Sequence, residues 1–183
     1  MDKRDFTALF NALHPNFFES AHIRALPEEY VFEEMILPLD EFDPSVYERR
    51  LDGVSFGFYG GGLDELRAAV AKVDGDWLQY FNETDCVFCG LVEGKIASFC
   101  HIYDMGEHSV NGRNLKIGVP GCVGTVPEYR NKGIGLTMVK CATQILKDEG
   151  CDISYIHYTG VAQWYAKLGY RTAIRWNRKG IKD

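Results

Sequence analysis

The residues with the clearest chemical potential lie in segment 123–135, where a run of β-forming residues ends at a proline and a basic loop leads into a helical pattern. The loop carries Arg130 and Lys132 and closes with Gly133 and Gly135. The first amides of a helix have no intrahelical acceptor, and the helix dipole adds about half a positive charge there. Glycines would let a diphosphate approach the backbone, and the two cations would attract it. This segment is therefore a candidate anion site.

A simpler interpretation of the segment is an ordinary strand-to-helix turn whose basic residues are solvated. The loop has neither the Gly-Lys-Ser/Thr of a P-loop nor the three glycines of a dinucleotide-binding fingerprint. Two glycines alone favour the ordinary turn. The anion site therefore depends on what the rest of the chain adds.

The elements around the loop are predicted from hydrophobic spacing. Ile134, Met138, Ala142 and Ile145 recur at helical intervals, and Gly150 marks the end of that helix. The predicted strands are 30–37, 86–92, 95–103, 115–126, 152–158 and 170–176, with turns at 93–94 and 111–112. A helical turn is the alternative for residues 30–37. The other predicted helices are 5–14, 63–73, 77–81 and 161–168. A proline within the 115–126 run indicates a bulge or a strand start. Strands alternate with helices only in the second half, which predicts a mixed α/β sheet with one parallel crossover.

Composition limits the class of protein. The chain of 183 residues is 46% hydrophobic and 25% charged, which suits one compact domain and argues against disorder. Its net charge of −6 argues mildly against nucleic-acid and membrane partners. No run approaches the roughly 20 apolar residues of a membrane span. Residues 6–13 are too short for a signal peptide, so the six cysteines are expected to be free thiols and the protein cytoplasmic.

Two motifs resemble those of the GNAT superfamily of N-acetyltransferases. Residues Arg130–Gly135 match its Arg/Gln-x-x-Gly-x-Gly/Ala hallmark after a strand, and Pro-Glu-Tyr at 127–129 precedes them, as that family favours. Residues 165–170, Tyr-Ala-Lys-Leu-Gly-Tyr, resemble its Tyr-x-Lys-Leu-Gly-Phe segment. The motifs follow the family order, with a helix and a strand between them. The resemblance covers residues 85–176 well and residues 28–84 by element order.

The resemblance implies an α/β (α+β) fold, with a mixed, mostly antiparallel, twisted sheet, helices on both faces, and a central pair of parallel strands splayed to hold acyl-CoA. It implies one acyltransferase domain over residues 28–183 after a helical extension over residues 1–27. It also implies an N-acetyltransferase that uses acetyl-CoA without a metal and acts on a primary amine of a small molecule or peptide. A non-catalytic acyl-CoA-binding regulatory domain is the alternative, and an interaction module that uses the fold alone is a third possibility.

The resemblance also implies roles for individual residues. It assigns the CoA diphosphate to the backbone of Arg130, Asn131, Lys132, Gly133, Ile134 and Gly135. It assigns the pantetheine arm to the backbone of Val123, Gly124, Thr125 and Val126, where one amide would polarise the thioester carbonyl. Tyr165 matches the family tyrosine that protonates the departing thiolate, and a phenol is protonated at neutral pH. The alternative for Tyr165 is a buried aromatic that anchors the last helix.

Other polar residues have weaker interpretations. The position of the general base varies within the family, so the resemblance assigns none. By residue type alone, the candidates are His101, Asp104, Glu107 and His157. Residues of these types are more often structural than catalytic. Cys86 and Cys89 have metal-site spacing, but strand residues alternate between faces, so no metal site is expected. The basic run 175–180 is a solvated tail, a contact for a CoA phosphate, or part of a homodimer edge.

Overall fold

Eight strands form one sheet within residues 3–110 and 112–182, which are the residues that the computed structural model describes. The strands are β1 (Phe32–Pro38), β2 (Val54–Phe58), β3 (Val87–Val92), β4 (Lys95–Val110), β5 (Arg113–Thr125), β6 (Ile153–Thr159), β7 (Arg171–Asn177) and β8 (Gly180–Lys182). The helices are α1 (Lys3–Leu13), α2 (Ala21–Ala25), α3 (Leu63–Ala71), α4 (Ile134–Asp148) and α5 (Ala162–Tyr165). Short 3-10 turns lie at Phe17–Glu19, Pro44–Val46, Gly75–Tyr80, Pro127–Tyr129 and Ala166–Leu168.

The order of the strands across the sheet is β2-β3-β4-β5-β6-β1-β7-β8. Neighbouring strands are antiparallel except β5 and β6. α4 connects these two strands and is the crossover that a parallel pair requires. The mixed, mostly antiparallel sheet with one parallel pair confirms the predicted fold class.

The parallel pair separates soon after it begins. Ile117 lies opposite Ile153 and Gly118 lies opposite Ser154, and the register ends there. Beyond these residues β5 stays paired with β4 and β6 stays paired with β1. The C-terminal ends of β5 and β6 therefore leave a gap between them, beside the beginning of α4.

A bulge bends β5 along this gap. Between Gly121 and Gly124, β5 uses one residue more than β4, and Cys122 lies in this stretch with a φ of 47°. The sequence indicated a bulge or a strand start at the proline. Pro120 itself pairs with Ile102, and the irregularity lies just after it. Bulges increase the local twist and re-aim side chains.

Helices cover both faces of the sheet. α4 and α5 pack on one face, in a core that includes Ile156 and Tyr170. α1 packs on the other face over Ile117 and Tyr155, and α3 lies on that face over Phe99. Consecutive strand residues point to opposite faces of a sheet. Accordingly, Ile156 packs in the core under α4, whereas its neighbour Tyr155 packs in the core under α1.

Most predicted elements are found within a few residues of their expected bounds. The turn at Glu93-Gly94 is confirmed, with φ of 50° and 79°. β2 and β8 were not predicted, and β4 continues past Tyr103 to Val110. The predicted turn at 111–112 falls partly outside the described residues, because Asn111 is not among them. The division between extension and domain at residue 27 stays a prediction.

Across the described residues, no helix is both long enough and apolar enough to span a membrane.

Candidate functional site

The loop between β5 and α4 presents a row of free backbone amides. Asn131 and Gly133 adopt left-handed conformations, with φ of 62° and 86°. The N–H groups of residues 131–136 have no hydrogen-bond acceptor within the described part of the chain. The next amide, that of Thr137, donates to the Gly133 carbonyl at 3.1 Å. Consecutive free donors at a helix N-terminus can bind an anion.

The two glycines of the loop make close contacts that the sequence did not show. A Cβ on Gly135 would lie 2.2 Å from Oγ1 of Thr125, so this glycine lets α4 pack directly against the end of β5. A Cβ on Gly133 would lie 2.4 Å from Cδ of Arg49 and 3.0 Å from the Tyr47 hydroxyl. Gly133 also holds a positive φ, which other residues rarely adopt. Arg49 is therefore a site residue that sequence reasoning missed, because no local pattern connects it to the loop.

The cations around the loop differ in what holds them. Nε of Arg130 donates to the Thr125 carbonyl at 3.0 Å, which ties the loop to the strand. Nζ of Lys132 lies 5.3 Å from the centroid of the Tyr129 ring. Among the described residues, the guanidinium of Arg49 has no ion-pair or hydrogen-bond partner. Arg49 and Lys132 are thus available to an anion at this loop.

The backbone of residues 123–126 is partly committed to the protein itself. The Val126 amide donates to the Ala97 carbonyl at 2.9 Å, and the Val126 carbonyl accepts from the Tyr129 amide at 2.9 Å. Gly124 packs against Phe99, whose ring would lie 2.3 Å from a Cβ at that position. Of the four residues assigned to the pantetheine arm, Val126 therefore has no free amide to offer a ligand.

Tyr165 lies in the core on the α4 side of the sheet. It is 6% exposed and belongs to the same cluster as Ile156. Its hydroxyl makes no hydrogen bond with the described residues, whereas the Tyr170 hydroxyl is bonded to Thr143 at 2.8 Å and to Ser154 at 2.6 Å. Burial raises the pKa of Tyr165 well above its ordinary value. The phenol therefore keeps its proton throughout the neutral range.

A cavity of about 340 Å³ adjoins this region, lined by Glu33 and Gly160–Trp164. Trp164 lies 3.4 Å from the position that a Cβ of Gly135 would take. The cavity therefore lies at the beginning of α5, and Trp164 packs between it and the first turn of α4.

The four candidate bases are placed very differently relative to the gap. Asp104 and Glu107 lie on β4 beside the closed end of the β5–β6 pair, and Asp104 is 3.2 Å from Nζ of Lys116. His101 is 1% exposed, and burial lowers its pKa. Neither of its ring nitrogens has a hydrogen-bond partner among the described residues. His157 lies on β6 beyond the point where that strand leaves β5.

The cysteines and the basic C-terminal run do not add to the site. Cys86 is exposed and Cys89 is buried, and no group of three or more His, Cys, Asp or Glu side chains in the described residues is placed to hold a metal ion. Arg178 and Lys179 form the turn between β7 and β8 and pair with Glu28, so they are not free to bind a phosphate. A homodimer edge at this run stays a prediction.

A loop of free amides beside two splayed parallel strands is an arrangement that can hold an anionic ligand next to a split in the sheet. A family model described as an acetyltransferase (GNAT) domain matches residues 68–173, more than half of the chain. The chain belongs to the GNAT acetyltransferase family, whose members generally use acetyl-CoA.

Solved structures share the fold at low sequence identity. A GCN5-related glucosamine N-acetyltransferase region of a fungal multi-domain GH3 β-N-acetylglucosaminidase superposes with a TM-score of 0.62 at 18% identity, over 81% of this chain and 20% of that chain. A GCN5-related N-acetyltransferase from Sphaerobacter thermophilus gives a TM-score of 0.60 at 19% identity, over 80% of this chain and 50% of that chain. One from Kribbella flavida gives a TM-score of 0.54 at 16% identity, over 79% of this chain and 55% of that chain. This chain thus spans a fifth to about half of their lengths. No curated protein matches the sequence significantly.

Proposed function

We propose that this chain is an acetyl-CoA-dependent N-acetyltransferase that transfers an acetyl group directly to a primary amine. The observation that carries the proposal is the row of free N–H groups over residues 131–136, next to the gap between β5 and β6. A diphosphate has enough acceptor oxygens to satisfy several of these donors together. Membership of the GNAT family makes CoA the diphosphate that fits the arrangement best.

Different residues would bind different parts of CoA. The amides of residues 131–136 would hold the diphosphate, and Arg49 and Lys132 would add charge-assisted contacts. The backbone of residues 123–125 would line the pantetheine arm in the gap. Acetyl-CoA supplies the activated acyl carbon as a thioester. A backbone N–H of β5 aimed at the carbonyl oxygen would stabilise the transition state by about 3–4 kcal/mol.

Tyr165 would donate a proton to the departing thiolate. Its hydroxyl has no competing hydrogen bond with the described residues, so the proton is available. Burial raises the pKa of Tyr165, and a thiolate in the same buried environment is penalised in the same direction. The difference between the two pKa values, which decides the transfer, therefore changes less on burial than the pKa of Tyr165 itself.

The acceptor is proposed to be a small-molecule or peptide amine. The net charge of −6 favours a cationic substrate over an anionic one. One protein of similar fold is a glucosamine N-acetyltransferase region, so amino sugars belong among the amines to be tested.

Two measurements test the proposal. Calorimetry with CoA and acetyl-CoA should show saturable binding to the purified chain. Release of free thiol should then follow addition of at least one amine from a panel of polyamines, amino acids, amino sugars, aminoglycosides and peptides. Binding without turnover across the panel would indicate the acyl-CoA-binding regulatory domain instead. An absence of CoA binding would refute both functions.

A further inference from the structure

A buried carboxylate holds a histidine at the end of β6. Glu34 is 1% exposed. Its Oε1 accepts from Nε1 of Trp176 at 2.6 Å and from the Tyr158 amide at 3.1 Å. Its Oε2 accepts from the Tyr155 hydroxyl and from Nδ1 of His157, the latter at 2.9 Å. Because a carboxylate only accepts hydrogen bonds, Nδ1 of His157 carries a proton, and Nε2 of the neutral ring has a lone pair.

His157 lies beside the gap, on the face of the sheet opposite α4. β6 leaves β5 after Ser154, and His157 is three residues further along, about 10 Å at the rise of a strand. Ile156 packs in the same cluster as Tyr165, so its neighbour His157 points to the other face. Tyr165 and His157 therefore lie on opposite faces of the sheet.

The surroundings of His157 leave one ring nitrogen free. The side chain is 28% exposed, and within the described residues Nε2 has no hydrogen-bond partner. His14, which follows α1, stacks on the ring with centroids 3.9 Å apart and an interplanar angle of 14°. Burial, and then the neighbouring His157, lowers the pKa of His14 to about 4, so at neutral pH it adds no charge.

Other titratable groups lie near His157 on β6 and α2. Tyr155 and Tyr158 flank His157 on β6, and burial raises the pKa of both. His22 of α2 lies further out, with Nε2 3.2 Å from the Tyr158 hydroxyl. Glu34 is thus the carboxylate that contacts His157.

We propose that Nε2 of His157, oriented by Glu34, takes the proton from the acceptor ammonium. This inference rests on the proposed function, because it assigns a base to the same site. An alkyl ammonium titrates near 10.4, so its deprotonation at pH 7 costs about 4–5 kcal/mol. A base beside the gap provides the route for that proton, and Glu34 stabilises the imidazolium that forms.

The protons balance over one turnover. The ammonium proton passes to Nε2 of His157 and from there to water. The neutral amine forms the C–N bond as the C–S bond breaks, and Tyr165 protonates the sulfur. The second proton lost by the nitrogen replaces the one that Tyr165 gave. The net products are an amide, free CoA thiol and one proton released to solvent.

The test compares His157→Gln with His108→Gln. His108 lies near the far end of the β4–β5 hairpin, where its Nε2 is 3.0 Å from the Met105 carbonyl, so it is a matched control. Turnover is measured against pH with the amine that reacts fastest in the panel, and CoA affinity is measured by calorimetry. For the wild type and His108→Gln, turnover should level off at a pH below the pKa of the acceptor amine, because a base in the protein takes the ammonium proton.

His157→Gln should lower turnover at neutral pH by about 100-fold or more, while its CoA affinity stays unchanged. Its turnover should keep rising with pH toward the pKa of the amine, because only amine that is already neutral can then react. Wild-type turnover with the same pH profile in His157→Gln would overturn the assignment of His157 and leave the proposed function intact. An absence of CoA binding or of turnover in the wild type would overturn the proposed function and this assignment together.

A spectroscopic measurement tests the positioning role of Glu34 without relying on activity. Long-range ¹H–¹⁵N spectra distinguish protonated from unprotonated ring nitrogens, and neutral His157 should carry its proton on Nδ1. In Glu34→Gln the fraction of this tautomer should fall. A neutral His157 with its proton on Nε2 in the wild type would overturn the assignment, because no lone pair would face the acceptor.

Discussion

Replacing Tyr165 by Phe removes one hydroxyl that has no hydrogen-bond partner in the described part of the chain. Since no protein hydrogen bond is lost, the free energy of unfolding should change little. If the hydroxyl delivers the proton to the thiolate, turnover should fall by about 10²- to 10⁴-fold, which is the usual contribution of a general acid. CoA affinity should be retained, because the diphosphate contacts lie on the loop before α4.

Tyr170→Phe is the matched control for this change. It removes the same atom from a buried tyrosine whose hydroxyl is bonded to Thr143 and Ser154 at 2.8 and 2.6 Å. Two hydrogen bonds contribute about 0.5–1.5 kcal/mol each, so the free energy of unfolding should fall by about 1–3 kcal/mol. For a chain of this size the thermal midpoint should drop by roughly 2–12 °C. Turnover of the folded variant should stay near that of the wild type.

Thiol release measures turnover, and urea denaturation measures the free energy of unfolding of both variants. The expected pattern is opposite in the two assays, with Tyr165→Phe slow but stable and Tyr170→Phe active but less stable. Because burial raises the pKa of Tyr165, its deprotonation should not reduce turnover between pH 7 and about pH 9. Wild-type turnover in Tyr165→Phe, or equal losses of turnover in both variants, would refute the role of this hydroxyl.

Three further predictions concern the loop and the N-terminal helix. Gly133→Glu should abolish CoA binding in calorimetry by placing bulk and negative charge at the free amides. The control Gly150→Glu changes a glycine with φ of 78° beyond the other end of α4 and should retain CoA binding. Equal CoA affinities of the two variants would contradict the phosphate site. Arg49→Ala should weaken CoA binding by about 10-fold or more. Arg50→Ala should not, because Arg50 is already paired with Asp52. Equal CoA affinities of the two variants would remove Arg49 from the site. His14 has its pKa lowered from 6.5 to about 4, so the unfolded state binds more protons between these values and stability falls as the pH drops through them. Urea denaturation at about pH 7 and about pH 5 measures the stability lost between these values, and this loss should be smaller in His14→Gln than in the wild type. An equal loss of stability in both proteins would contradict a buried, neutral His14.

The loop and the helix after it could be predicted because their signals are local. Hydrophobic spacing located α4, and Gly150 marked its end, where the residue does adopt a positive φ. The hairpin at Glu93-Gly94 was equally clear, because a short turn with glycine restricts the register of its flanking strands. The assignment of ligand contacts to the loop came from the family resemblance and stays a prediction.

The contacts that shape the site could not be predicted because they join distant parts of the chain. β1 pairs with β6 and β7, more than a hundred residues away, and no local pattern encodes that pairing. Glu34 lies within the predicted strand 30–37, and no residue near it in the sequence indicates that β1 places its carboxylate 2.9 Å from Nδ1 of His157. Arg49 likewise lies in an irregular segment whose approach to Gly133 depends on tertiary packing. The amide of Val126, which the family resemblance assigns to the pantetheine arm, donates instead to the carbonyl of Ala97.

The most direct measurement of the central interaction is a titration of the ¹⁵N-labelled protein with CoA, followed through backbone ¹H–¹⁵N signals. The amides of Gly133, Ile134 and Gly135 should show large, saturable shifts as they begin to donate to the diphosphate. The signals of Gly94 and Gly150, which lie on other turns, should stay in place. Saturable CoA binding that leaves the signals of residues 131–136 unmoved would contradict the diphosphate site.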